Sequence, residues 1–321
     1  MLISCLLAFI FPFQLFLFSF SVLGPLHYFT EIPWLHGKGY YTTGKYDFIM
    51  LVALCCGVAT LFYIIRSENS IDNDLAFIIT SLCFVAFFGA LAMATLKTLW
   101  QKVTALLLIG GSSLLFSHVD FVTMVFTNFI PSIIHVYVFT GCFILYGALR
   151  HKSRTGILSL VVFALCTVAI FTIMPSPTSD RSLSYYIKTS YINFADLNFE
   201  LINLLGLERV DRTSAQLHDI LFTSNAGVIV MRLIAFSYTY HFLNWFSKTS
   251  IIKWHLVPKK SLAIILLLWI GSLALYAINF TIGIQYLYVL SLLHVMLEFP
   301  LNHRTFIGIG QEVKNLVLTQ K

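Results

Sequence analysis

Apolar residues in this chain come in blocks of about 20, the length of helix that crosses the hydrocarbon of a bilayer. The blocks fall at 3–25, 47–66, 75–96, 103–118, 121–149, 157–175, 226–247, 262–280 and 283–299. One water-soluble core could not hide them. Of 321 residues, 58% are hydrophobic and only 11% are charged, whereas soluble domains carry about 25% charged residues. The expected fold is an all-α, polytopic integral membrane helix bundle of about nine transmembrane helices, a single membrane domain over 1–321. Two helices, 103–118 and 283–299, are expected to be short.

The loops orient the bundle. With the N-terminus outside, the cytoplasmic side carries fourteen Lys and Arg residues and the outer side five, namely Arg66, Arg181, Lys188, Arg209 and Arg212. Cytoplasmic loops favour Lys and Arg, so the expectation is a multi-pass protein of a bacterial inner membrane with its C-terminus cytoplasmic. The same count accounts for the net charge of +6 without nucleic acid as a partner. Trp34, Trp100, Trp245 and Trp254 fall at the cytoplasmic end, as an interfacial belt would. Arg232, near the start of the seventh helix, is expected to snorkel outward. Residues 1–4 lack a basic leader, so the first apolar block reads as a retained helix. The six cysteines lie inside apolar blocks without any Cys-x2-Cys pair, as small core fillers do.

Between the sixth and seventh helices lies an extracytoplasmic segment, 176–225, with aromatic and polar residues at mixed helical spacing. Short helices lying on the outer leaflet are expected there. The segment serves as a connector or as a surface for a protein partner.

One pattern stands out from this apolar background. His-x3-Glu-x-Pro-x2-His occurs twice, as His27, Glu31, Pro33, His36 and as His294, Glu298, Pro300, His303, each where an apolar block ends. The upstream residues Val22, Leu23 and Leu26 match Val289, Leu290 and Leu293. Residues four apart share one helix face, and each proline is expected to end its helix so that the following histidine folds back. On the seventh helix His241, with Asn244 three residues on, lies at the same depth, and His255 follows in the loop. His135 sits near mid-membrane four residues after Pro131, where a helix–helix hydrogen bond at a kink is the ordinary reading.

Carboxylates inside a bilayer are costly unless paired or bound to a cation, and helix bundles hold metal pairs with Glu and His projecting inward. The expected primary metal ligands are His27, Glu31, His241, His294 and Glu298. His36, His255 and His303 are expected as further ligands or catalytic proton donors. Nitrogen and oxygen donors without thiolate suit iron, manganese or zinc, with iron preferred. Membrane fatty-acid desaturases and hydroxylases also gather histidines at the cytoplasmic face. Their His-x3-His and His-x2-His-His boxes do not occur here, and membrane carotenoid-cleaving oxygenases carry a His-x3-His pair that is absent too. The likeness is one of arrangement and suggests a reaction class by analogy.

The leading expectation is therefore a membrane metalloprotein, an oxidoreductase acting on a lipid-soluble substrate that arrives sideways from membrane lipid. A proton-coupled transporter and a non-catalytic subunit or anchor of a larger complex are the alternatives. All depend on whether the first, seventh and last helices adjoin.

Overall fold

The computed structural model describes residues 1–68, 73–175, 183–208, 217–253 and 256–319. Among these residues the chain is an all-α bundle with no strand, and nine helices are long and apolar enough to cross a membrane. Helix α1 is Leu2–Ile10. Non-helical backbone at Phe11 ends it, and Pro12 opens α2 at a position where its missing N–H costs nothing. Helix α2 spans Pro12–Gly37, followed by α3 (Phe48–Glu68), α4 (Asn73–Thr95), α5 (Leu99–Phe116), α6 (Asp120–Arg150) and α7 (Arg154–Thr172). Three short helices come next, α8 (Tyr185–Tyr191), α9 (Ala195–Leu204) and α10 (Leu217–Phe222). Then come α11 (Asn225–Ser247), α12 (Lys259–Ile278) and α13 (Phe280–Thr319).

The prolines act differently from expectation. Pro33 and Pro300 lie inside α2 and α13, which continue through them. Proline removes one backbone donor and crowds one carbonyl, a loss that membrane helices tolerate when packed neighbours compensate. His36 and His303 therefore ride on helix rather than on loops that fold back. The last helix, expected to be short, runs for 40 residues, about 60 Å at the α-helical rise. Two π-helical stretches accompany other prolines. Ser19–Leu23 stands just before Pro25, and Val125–Phe139 contains Pro131. A wider turn relieves the clash between a proline ring and the carbonyl four residues back.

The chain divides into two compact units. The first comprises Met1–His27 and Arg154–Gly283. Its axis is α11, where the run from Ala226 to Thr239 is buried throughout. Ser224 caps this helix by accepting from the Gly227 amide at 3.0 Å. A Cβ at Gly227 would collide with the carbonyls of Ile220 and Leu221, so glycine permits α10 to approach. The described part of segment 176–225 does form short helices, and they bury their apolar sides against the bundle. Phe16 of α2 meets Phe194 at 4.7 Å and Tyr238 at 5.1 Å, edge to face, while Phe13 meets Tyr191 at 5.0 Å. Edge-to-face rings add to the area they bury. Residues 176–182 and 209–216 of the segment, with Arg181, Arg209 and Arg212, lie outside the described residues.

Arg232 departs from the snorkelling reading. It is buried, its Nη1 donates to the Ile173 carbonyl at 2.8 Å, and its guanidinium lies 4.6 Å from the Phe9 ring. The carbonyl at the end of α7 carries the negative pole of that helix, which satisfies the cation without solvent.

The second unit comprises Tyr28–Ser153 and Ile284–Lys321. Its core joins α2, α3, α4, α6 and α13 through Leu35, Leu51, Phe126, Phe139, Met296 and Phe299. Thr98 and Gln101 close a capping box at the start of α5, so helix formation there is encoded locally. One turn further, buried Lys102 makes a 2.6 Å ion pair with partly buried Asp47, whose Oδ2 also accepts the Gly44 amide at 2.8 Å. Of the belt tryptophans, Trp100 is 78% exposed and Trp34 flanks the core, whereas Trp245 is buried. Trp254 lies outside the described residues.

Breaking a buried pair leaves one charge uncompensated, at a cost of about 3–5 kcal/mol. Asp47→Ala is expected to destabilise the detergent-solubilised chain by about that much. Asp47→Ala combined with Lys102→Met should recover most of the loss. Chemical denaturation followed by circular dichroism checks both variants.

Candidate metal centre

In the first unit, His27 on α2 and His241 on α11 meet. Their Nε2 atoms are 3.2 Å apart and their rings are nearly perpendicular, with centroids at 4.8 Å. Both rings are buried, and Phe242 at 5.1 Å and Trp245 at 5.5 Å wall the His27 side. Trp245 thus packs on a site histidine. Two neutral imidazoles at this distance share one proton, one nitrogen donating and the other accepting. The same spacing fits two ligands of one ion, because nitrogens bonded at about 2.0–2.1 Å in a tetrahedron lie about 3.3 Å apart.

In the second unit, His294 and Glu298 occupy one face of α13, as residues four apart must. His135 reaches that face from the π-helical part of α6. Its Nδ1 stands 3.2 Å from Glu298 Oε2, and its ring lies 5.1 Å from His294 at 76°. All three side chains are 5% exposed or less. Tyr28, the residue after His27, faces His294 with ring centroids at 5.9 Å. The ends of α2 and α13 are therefore neighbours in this unit, as the duplicated pattern requires.

His27 and His241 in the first unit, and His135 and His294 in the second, are buried imidazoles, each with ring nitrogens that could bind a metal. Glu298 stands beside His135 Nδ1. Carboxylates hold metal-bound histidines in this way, fixing the tautomer and raising ligand basicity. Glu31, the other expected carboxylate ligand, is buried one turn after His27.

The three histidines expected to donate protons are placed elsewhere or lie outside the described residues. His36 is exposed and its Nδ1 is 3.1 Å from the Tyr40 hydroxyl. His303 is buried, with Nε2 donating to the Phe87 carbonyl at 2.7 Å. His255 lies outside the described residues. Sequence reasoning ranked His135 low. The available signal was its depth, since an ionisable group at mid-membrane is a functional candidate by default.

Comparison with protein-family models, with curated proteins and with solved structures yields no match. The geometry alone carries the functional argument.

A histidine whose ring is committed to a backbone carbonyl contributes to stability on the order of one hydrogen bond, about 1 kcal/mol. His303→Leu is expected to lower unfolding stability by about 1–2 kcal/mol and to leave metal content unchanged. Unfolding midpoints and elemental analysis of the same preparation read the two effects.

Proposed function

We propose that this chain is a membrane metalloprotein whose buried histidines hold a transition metal, and that it acts as an oxidoreductase on a lipid-soluble substrate. The observation that carries the reading is the 3.2 Å approach of His27 Nε2 to His241 Nε2, two buried ring nitrogens from helices far apart in sequence. Support comes from the His135–Glu298 pair, which matches the carboxylate–histidine arrangement found behind metal ligands. Imidazole donors with a carboxylate behind them suit iron, zinc or manganese, and iron is the ion expected for oxygen chemistry on an apolar molecule. The metal would activate oxygen or water while the bilayer supplies the substrate laterally. Orientation follows the distribution of basic residues, with the N-terminus outside and the C-terminus in the cytoplasm of a bacterial cell.

A second reading rests on the same His135–Glu298 pair, because a buried histidine–carboxylate couple also carries protons. The two readings differ in what Glu298→Gln does. Under the metal reading it weakens metal affinity by about 10–100-fold, the usual cost of losing a partner behind a ligand. Under the proton reading it moves the pH profile of transport and leaves metal content untouched.

Elemental analysis of protein purified without chelators is expected to find stoichiometric transition metal, with iron foremost. The double variant His27→Ala, His241→Ala should lose it. Protein that is folded and free of transition metal from every growth medium would sink the proposal. For orientation, Lys97→Cys should react with an impermeant maleimide only after permeabilisation, and Tyr186→Cys should react in intact cells.

A further inference from the structure

Away from the histidines, a groove of about 460 Å³ runs between α4 and α5. Phe88, Leu91 and Ala92 line one wall, and Ala105, Leu108 and Ile109 line the other. Two hydroxyls reach it, and both are already spent. Thr95 donates to the Leu91 carbonyl at 2.7 Å, and Ser112 donates to the Leu108 carbonyl at 2.8 Å. The groove therefore offers a guest no free hydroxyl hydrogen and takes hydrocarbon. Phe84 and Phe116 close its deep end, with rings nearly parallel and centroids 6.2 Å apart. From Phe84 to Leu96 the groove covers twelve residues of chain, about 18 Å at the helical rise. One leaflet of hydrocarbon is about 15 Å thick. The groove thus has the reach of a single acyl chain within one leaflet.

Its open end is basic. The turn after α4 presents exposed Lys97, followed by Trp100, which is 78% exposed. The segment at 42–47 is seated on the same helix end, where the Thr43 amide donates to the Met93 carbonyl at 2.9 Å and its hydroxyl to Leu96. That seating brings up exposed Lys45. Arg304 Nη2 donates to the Ala94 carbonyl at 3.4 Å. Asp47, the acidic residue of this segment, is neutralised by Lys102. Positive charge and an exposed tryptophan therefore stand where a phosphate would lie if an acyl chain filled the groove. Basic residues and tryptophan at an interface are the elements of headgroup recognition.

We infer that this groove is a binding site for one anionic glycerophospholipid, with an acyl chain between α4 and α5 and its phosphate held among Lys97, Lys45 and Arg304. Charge selects an anionic headgroup over a zwitterionic one, and the closed end sets the depth of the chain. The site lies within one leaflet, independent of the histidine group and of the function proposed for it.

The test uses the full chain in detergent, titrated with phosphatidylglycerol or phosphatidylcholine of equal chain length, and native mass spectrometry counts retained lipid. One phosphatidylglycerol should be retained in preference to phosphatidylcholine. Lys97→Glu changes the local charge by two and should weaken retention by about tenfold or more, at about 1 kcal/mol per basic residue near a headgroup. Ala105→Trp fills the groove and should abolish retention, and Ser112→Phe does the same from two turns further along should the first variant fail to fold. Equal retention of the two lipids, or unchanged retention in the folded groove-filling variants, overturns the inference.

Discussion

An ionised group in hydrocarbon must be met by an opposite charge or a dipole, and that demand organises the interior of this protein. Among the described residues only two carboxylates are buried, Glu31 and Glu298, and the buried strong cations are Lys102 and Arg232. Each cation has a partner of its own kind: Lys102 has the Asp47 carboxylate, and Arg232 has the carbonyl at the end of α7 together with the Phe9 ring. Glu298 has His135. A charge removed from water costs several kcal/mol unless such geometry is in place, so these contacts limit how α5 packs against the start of α3 and α6 against α13 in the second unit, and how α7 meets α11 in the first.

The prolines decide where those partners can stand. Pro131 lies four residues before His135, inside a π-helical stretch. A π turn holds more residues than an α turn, so it rotates everything beyond it relative to a regular helix. His135 is turned toward Glu298 by a backbone feature with a local cause. Pro33 and Pro300 have the opposite consequence. By leaving α2 and α13 unbroken, they keep His27 with His36, and His294 with His303, on continuous helices. His36 lies nine residues after His27, half a turn out of phase at 3.6 residues per turn. It therefore points away from the pair that His27 makes with His241, and it is exposed.

The spans were legible in the sequence because hydropathy is a one-dimensional property, and the nine blocks match nine helices among the described residues that are long and apolar enough to cross a membrane. Helix ends were less legible. The 283–299 block gave way to a helix running to Thr319, since polar residues beyond the membrane continue a helix as readily as they form a loop. Most of the candidate ligands were legible too. The duplicated pattern marked His27, His294 and Glu298, and equal depth marked His241. His135 was not legible, because the residue that gives it meaning is Glu298, more than 160 positions away. Nothing within its own helix records that contact. Arg232 was misjudged for the same reason, with its partners at Phe9 and Ile173. Periodicity reports which face a residue occupies, and partners brought from distant helices escape it.

Charge balance links the duplicated pattern to the metal reading. Imidazoles that ligate do so as neutral groups and bring no negative charge. A divalent ion held by them would carry its full charge into a medium that penalises it. Two carboxylates offset that charge, and two are buried, one in each copy of His-x3-Glu. Direct ligation by them is not needed. A carboxylate behind a histidine lowers the energy of the ion through the ring and holds that ring at the correct tautomer, as Glu298 is placed to do for His135. On the proposed metal reading, each copy of the pattern would supply one neutral ligand and one counter-charge.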